Sequence, residues 1–323
     1  MRVKTVKQLF LMGIFVLGTM LVSGQNINDA IQGYNNAATN YKQDPEKALQ
    51  DIQSALQIAE QLGEEGAEIK QKCEELIPTI YFQLAMAKYK AKDLQATLDN
   101  LEKAEETAIK YNDGVTKTRV EKTLPRLYNT MGNTRFRENK FDEAIANYGK
   151  AIKLDPNFID PYLGTALAYE GLKNEEKMVE YLNLTIDFGS KNNDTTNVEK
   201  AKTKGKAYFL KKADEARNAN KLNDVVEFLD MALKFDGDDY DIYRSMTINY
   251  SKLERWNDAI EYGNKALQLV KGTAEDKAEL YFLIATAYHK LGNISEACEA
   301  YKNAAFGTFK PNADYQIQQL KCQ

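Results

Sequence analysis

Seven segments of this chain are copies of one another. Lys140–Asp155 reads KFDEAIANYGKAIKLD, Lys221–Asp236 reads KLNDVVEFLDMALKFD, and Arg255–Val270 reads RWNDAIEYGNKALQLV. Asn293–Thr308, Asp44–Ala59, Asp93–Ala108 and Asn174–Gly189 follow the same plan. Apolar residues recur in each at helical spacing, so each reads as an amphipathic helix. Repetition constrains the fold more than composition does, because a single repeat cannot bury its apolar face and must stack on the next. A small residue recurs near the end of each copy: Ala55, Ala104, Ala151, Thr185, Ala232, Ala266 and Ala304. The gaps between them are 49, 47, 34, 47, 34 and 38 residues. Thirty-four appears twice without adjustment, and the excess elsewhere falls between repeats, where longer helices or loops absorb it.

Thirty-four residues of helix–turn–helix is the period of the tetratricopeptide repeat. The chain resembles that family, and its clearest copy carries the likeness. A first helix bears Tyr128, Met131 and Gly132; a second bears Ala144, Tyr148 and Ala151, followed by Asp155 and Pro156. Arg135 departs from the family's Tyr, with Phe136 beside it, while Tyr169, Tyr250 and Tyr288 supply that Tyr in other copies. On this register there are seven repeats: 29–62, 78–111, 125–158, 159–192, 206–239, 240–273 and 278–311. Met178 and Val225 replace the small Ala in repeats four and five. The resemblance implies an all-α, right-handed α-solenoid. Small residues let the helices of a pair cross closely, and bulky replacements in a filled core cost about 1–3 kcal/mol. Ten of the 19 Tyr fall at repeat positions, so their abundance is a packing feature rather than a stacking site.

The chain divides into 1–24, 25–192 with repeats one to four, an insert at 193–205 that is a candidate hinge, 206–311 with repeats five to seven, and a capping segment at 312–323. In that last segment Tyr315, Ile317 and Leu320 are available to cover repeat seven. Residues 63–77 read as helical after Gly66. Asn112-Asp113-Gly114 signals a turn, with helix continuing to Pro125, where a kink or a first turn is expected. Residues 193–205 read as a loop and then a helical lead-in.

Arg2, Lys4 and Lys7 precede an apolar run from Leu9 to Val22, and Ser23 and Gly24 follow. This is the pattern of a secretory signal peptide cleaved before Gln25. The run is shorter than the ~20 residues that span a bilayer. No Cys stands at the cleavage point to carry a lipid anchor. The expectation is an exported bacterial protein, periplasmic or secreted, with no stable membrane insertion after cleavage. Cys73, Cys298 and Cys322 make an odd number, so at least one is free or pairs between chains. Cys298 with Cys322 is a candidate disulfide; small buried residues in helices is the other reading. The net charge is −4 for the whole chain, and removing three cations with the leader gives −7. That balance offers no electrostatic reason to bind nucleic acid or anionic lipid.

Catalytic devices are sparse. His289 is the only histidine, which excludes two-His metal sites. There is no GxGxxG, GxxxxGK[ST] or GxSxG motif. The acidic run around Gly237, FDGDDYD, lacks calcium-loop spacing and reads as helix-stop and N-cap residues. No enzyme activity, metal or cofactor is expected. In the family the first helices line a concave groove. By register that surface carries Tyr34, Phe82, Gln83, Met86 and Tyr89; then Asn129, Asn133, Phe136, Leu163 and Leu167; then Lys211, Arg244, Ile248, Phe282, Leu283 and His289. Such a mixture suits an extended peptide or partner helix. Tetratricopeptide domains that clamp a chaperone's C-terminal carboxylate use Lys, Asn and Arg at set positions. Here those positions carry Asn129 and Asn133, Gly164, then Ala207 and Lys211, so the basic partners are mostly missing. The expected function is a non-catalytic interaction scaffold in the cell envelope that binds a protein or peptide partner. The alternative is a glycan-binding envelope protein, for which Trp256 is the single candidate aromatic off the repeat register.

Overall fold

The structure is a computed structural model and describes residues 26–323; the leader expected at 1–24 lies outside the described residues. Fifteen α-helices and one 3-10 turn make up the described chain, and no strand occurs among the described residues. Fourteen of the helices form seven antiparallel hairpins. They are α1 (Ile27–Asn40) with α2 (Pro45–Gln61), α3 (Ala67–Lys90) with α4 (Leu94–Lys110), and α5 (Gly114–Arg137) with α6 (Phe141–Leu154). Then come α7 (Asp160–Gly171) with α8 (Glu175–Lys191), α9 (Thr195–Asn218) with α10 (Leu222–Asp236), α11 (Tyr240–Lys252) with α12 (Trp256–Leu269), and α13 (Ala274–Lys290) with α14 (Ile294–Ala304). The chain forms two compact units, divided between Leu124 and Pro125. The insert at 193–205 lies inside the second unit.

The irregular gaps have one structural explanation. α3, α5 and α9 are each 24 residues long, whereas α7 has 12 and α11 has 13. The segments 63–77, 112–124 and 193–205 therefore become N-terminal extensions of first helices. Each adds roughly three turns at 1.5 Å per residue. The expected loop at 193–205 is reduced to a turn at Asn192–Asn193, after which Asp194 caps α9 by accepting from Asn197 N–H. Pro125 neither starts nor ends a helix: α5 runs through it, as α3 runs through Pro78. Each proline removes a single i→i−4 bond, and the remaining turns keep the helix continuous.

One turn closes most of the helices. Lys92, Asn112, Asn139, Lys173, Asn193, Asn220 and Glu254 all take left-handed φ between 56° and 64°, and Gly292 sits at 80°. After each, the next residue's N–H donates back to a carbonyl five residues earlier, as Asp93 to Lys88, Asn174 to Tyr169 and Asn293 to Tyr288. This is the Schellman closure, which satisfies carbonyls the helix end leaves open. Asn and Gly tolerate that backbone; Lys92, Lys173 and Glu254 bear its strain.

Packing follows the small-residue plan. Ala55, Ala104, Ala151, Ala232, Ala266 and Ala304 are all essentially inaccessible, as is Thr185. The Tyr148 ring lies between two glycines: a Cβ on Gly132 would stand 2.5 Å from it, and one on Gly164 would stand 2.6 Å from it. Its hydroxyl donates to Asn133 Oδ1 at 2.8 Å. Phe235 plays the same part against Gly205, where a Cβ would be 2.4 Å from the ring. Met178 and Val225, the bulky exceptions, are fully buried and share a core with Ala166, Ala213 and Ala216. Trp256 packs against the same core.

The C-terminal end departs from the sequence expectation in one detail, at Tyr315. α14 ends at Ala304, after which Phe306 is extended and Gly307 turns left-handed at φ 51°. α15 (Lys310–Gln319) follows. Ala313, Ile317 and Leu320 join the core of α13 and α14, but Tyr315 is 58% exposed and covers nothing. Cys298 and Cys322 form a disulfide with Cα atoms 5.5 Å apart, and Cys73 is free and buried. Closing a loop with a sequence separation of 24 residues restricts the unfolded chain by roughly 3–4 kcal/mol in the loop-entropy account.

Two outcomes are expected. Gly164→Ala should destabilise unit two by about 1–3 kcal/mol. Gly149→Ala, whose Cβ would meet nothing within 4 Å, should be neutral or stabilising by up to ~1 kcal/mol. Thermal and urea melts of both variants check this. Burial also pushes the Tyr148 phenol up to about 12. A raised phenol pKa gives stability that is complete below the unfolded-state pKa near 10 and is lost as pH rises toward 12. Helix content followed against tyrosinate absorbance should fall within that window, and Tyr148→Phe should shift the loss upward.

Candidate partner-binding surface

In unit two the first helices form a consecutive row in which α7 packs on α9 and α11 on α13. Polar side chains tie neighbours in that row together. Lys204 on α9 reaches Glu170 on α7 at 2.9 Å. Arg217 on α9 donates to Ser245 Oγ on α11 at 3.1 Å. Arg244 on α11 donates to Glu279 on α13. The extended N-terminal half of α9 supplies Lys204, which a 34-residue repeat would not contain.

Between α7, the start of α8, and α9 lies a cleft of about 760 Å³. Tyr208 forms its aromatic wall, and its hydroxyl donates to Glu175 at 2.9 Å. Lys212 pairs with the same carboxylate at 3.1 Å and lies 5.7 Å over the Tyr208 ring. Burial first, and then the Glu175 hydrogen bond, hold the Tyr208 phenol far above its usual range. Lys173 and Lys211 stand at the rim; Lys211 is 78% exposed and pairs loosely with Glu215 at 3.8 Å. A smaller cleft of about 260 Å³ opens on the other side of α9. Leu210, Leu229 and Ile242 give it an apolar floor, with Asp214 and Arg217 at its edge.

The acidic FDGDDYD run has structural tasks. Asp239 caps α11 by accepting from Ile242 N–H at 2.9 Å, and Lys206 pairs with it and with Asp236. Burial opposes the Asp239 charge, but the Ile242 N–H and Lys206 more than offset it, so its pKa lies below the usual carboxylate value. The Tyr243 hydroxyl donates to Asp238.

The sequence-derived residues scatter over several roles. Lys211 lies in the large cleft. Arg244 is spent on Glu279, and Asn133 accepts from Tyr148. Asn129 Oδ1 is buried with no hydrogen-bond partner. Phe136 packs on Phe141 with ring centroids 5.5 Å apart. Phe282 packs on Tyr301 and Phe309 at 5.5 and 5.7 Å. Leu163 contacts the core of unit two, while Leu167, Ile248, Leu283 and His289 are half-buried. In unit one Tyr34 packs against the core, Gln83 and Met86 are half-buried, and Tyr89 is exposed. Phe82 belongs to the core, 6% exposed, with the Arg119 guanidinium 4.0 Å from its ring centroid. Tyr208, Lys212 and Glu175 were missed. Their signal was the i, i+4 spacing of Lys204, Tyr208 and Lys212 on one face of α9.

Antiparallel helical hairpins in each unit, with no strand among the described residues, define a helical-repeat protein. A TPR repeat family matches residues 132–173, and a tetratricopeptide repeat family matches 278–305. These two segments carry tetratricopeptide repeats, and their presence supports a protein–protein interaction scaffold. The chain is 29% identical over 106 residues to Hsp70-Hsp90 organizing protein 3 of Arabidopsis thaliana, a match that spans 31% of this chain and 18% of that protein. Among solved structures, a TPR repeats protein from Bacteroides fragilis is similar with a TM-score of 0.38 and 17% identity, over 76% of this chain and 97% of that one. A tetratricopeptide repeat protein from Parabacteroides merdae is similar with a TM-score of 0.30 and 14% identity, over 92% of this chain and all (100%) of that one.

The cross-helix pairs are partly solvated; the side chains of Arg244 and Glu279 are 40% and 30% exposed. A double-mutant cycle on Arg244 and Glu279 should give a coupling below about 1 kcal/mol that shrinks with salt.

Proposed function

We propose that this scaffold is non-catalytic and takes an extended segment of a partner protein along the first helices of unit two. The large cleft beside α9 carries this reading. It offers an aromatic wall at Tyr208, an exposed cation at Lys211, and a volume suited to side chains rather than to a whole domain. The aromatic residues expected to anchor a ligand, Phe82, Phe136 and Phe282, are engaged in packing. Recognition therefore falls more on Tyr208 and the lysines around it.

We further propose that the protein works in an oxidising envelope compartment. The leader-like N-terminus and the Cys298–Cys322 disulfide support this placement. No helix among the described residues is long and apolar enough to cross a membrane.

The test is affinity capture from an envelope extract with a chain starting at Gln25, compared with a Lys173→Glu, Lys211→Glu variant. Both positions are exposed, so the variant should fold normally by circular dichroism. The expected result is a discrete partner that loses at least tenfold in affinity in the variant, the usual scale for losing charged contacts at a recognition site. A partner held equally by both forms would move the binding surface away from α9.

A further inference from the structure

We propose that residues 305–323 form a redox-latched cover over Phe282, at the α13 end of the first-helix surface; its ligand-gating role rests on the function proposed above. The cover holds weakly by its own contacts. α15 has ten residues, mostly polar, and Ala313 is the one it buries fully. Helices this short do not persist alone in water. Ile317 and Leu320 add partial apolar contact, and Phe309 adds its ring against Phe282. The disulfide from Cys298 in α14 to Cys322 beyond α15 fixes the far end, helped by the Lys302 ammonium donating to the Gln323 carbonyl.

What the segment covers gives the latch its meaning. Phe282 packs against both Tyr301, edge to face, and Phe309. Tyr301 is rooted in the core of the last hairpin, whereas Phe309 belongs to the short 3-10 turn leading into α15. Release of the segment withdraws Phe309 and leaves Phe282 with one open face. An apolar aromatic of α13 would then stand free at the end of the first-helix row.

The opening step is thiol–disulfide exchange with a dithiol reductant. One reductant thiolate attacks a sulfur of the Cys298–Cys322 bond and forms a mixed disulfide; the second displaces the protein thiol. The S–S bond breaks, two electrons and two protons pass to Cys298 and Cys322 as thiols, and the reductant ends as its own disulfide. Cys298 and Cys322 are half-buried, so solvent reaches this region. Cys73 is enclosed, and burial pushes its thiol up to about 11, so it stays protonated near neutral pH and does not compete.

Hydrogen exchange read by mass spectrometry, with hydroxyl-radical footprinting of Phe282, tests the latch on the full chain. Four samples are compared: oxidised, dithiothreitol-reduced, a Cys298→Ser, Cys322→Ser variant, and an oxidised Phe309→Ala variant. Reduced and double-Ser forms should exchange amides across 310–320 on the order of a hundredfold faster, while α10 to α12 stay unchanged. Phe282 labelling should rise severalfold in both. Phe309→Ala should raise Phe282 labelling with α15 still protected, which separates cover from latch. Equal protection of α15 in oxidised and reduced chains would overturn the latch, and so would loss of protection throughout unit two. Unchanged Phe282 labelling would overturn the cover. None of these readouts needs a ligand, so they fail or succeed independently of partner capture.

Discussion

Everything in unit two depends on a large ring seated where two helices present no side chain. Tyr148 reaches from a second helix into the space left by Gly132 on its own repeat and Gly164 on the next. One residue thus closes a hairpin and joins it to its neighbour. The hydroxyl would be costly in such a place without a partner, and Asn133 supplies one. Gly205 and Phe235 repeat the arrangement further along. Because the ring is large and the gap is backbone-lined, neither partner can be changed alone without a clash or a void.

The second constraint is the left-handed residue that ends the helices. It reverses the chain in a single residue and lets the next residue cap or begin the following helix. Asn occupies four of these positions and Gly292 another, as conformational preference dictates, yet Lys92, Lys173 and Glu254 occupy three. Their side chains are exposed, so the backbone strain is borne by a hydrogen-bonded turn rather than relieved by contacts. The turn is sufficiently favourable through its 6→1 bond to keep non-glycine residues in place.

These two devices explain what could be read from the sequence. The hairpins were legible because Ala and Gly recur where helices cross, and no other element needs that spacing. The inserts were legible as helix only in part. Residues 193–205 carry Asn, Asp and two Thr at their start, a loop signal that the structure assigns to one turn and a cap. The surface was harder to read. Register places Phe82 on the first-helix face, but α5 brings Arg119 over its ring, and that extension lies outside the 34-residue pattern. The same applies to Lys204, whose bond to Glu170 depends on where the longer α9 runs. A repeat register predicts a residue's face; it does not predict the neighbour that an extension places against it.

The consequence for binding is that the first-helix face of unit two is already engaged with itself. Glu170 with Lys204, Arg217 with Ser245, and Arg244 with Glu279 link consecutive helices in order. A ligand at this face competes with partly solvated pairs, each worth below about 1 kcal/mol. The groups with spare capacity are those outside the chain of links: Lys211 at the cleft rim and the Tyr208 ring. Because helix packing, more than these solvated ties, fixes the first helices in place, their groups lose little conformational freedom on binding, so a few of them suffice to select a partner.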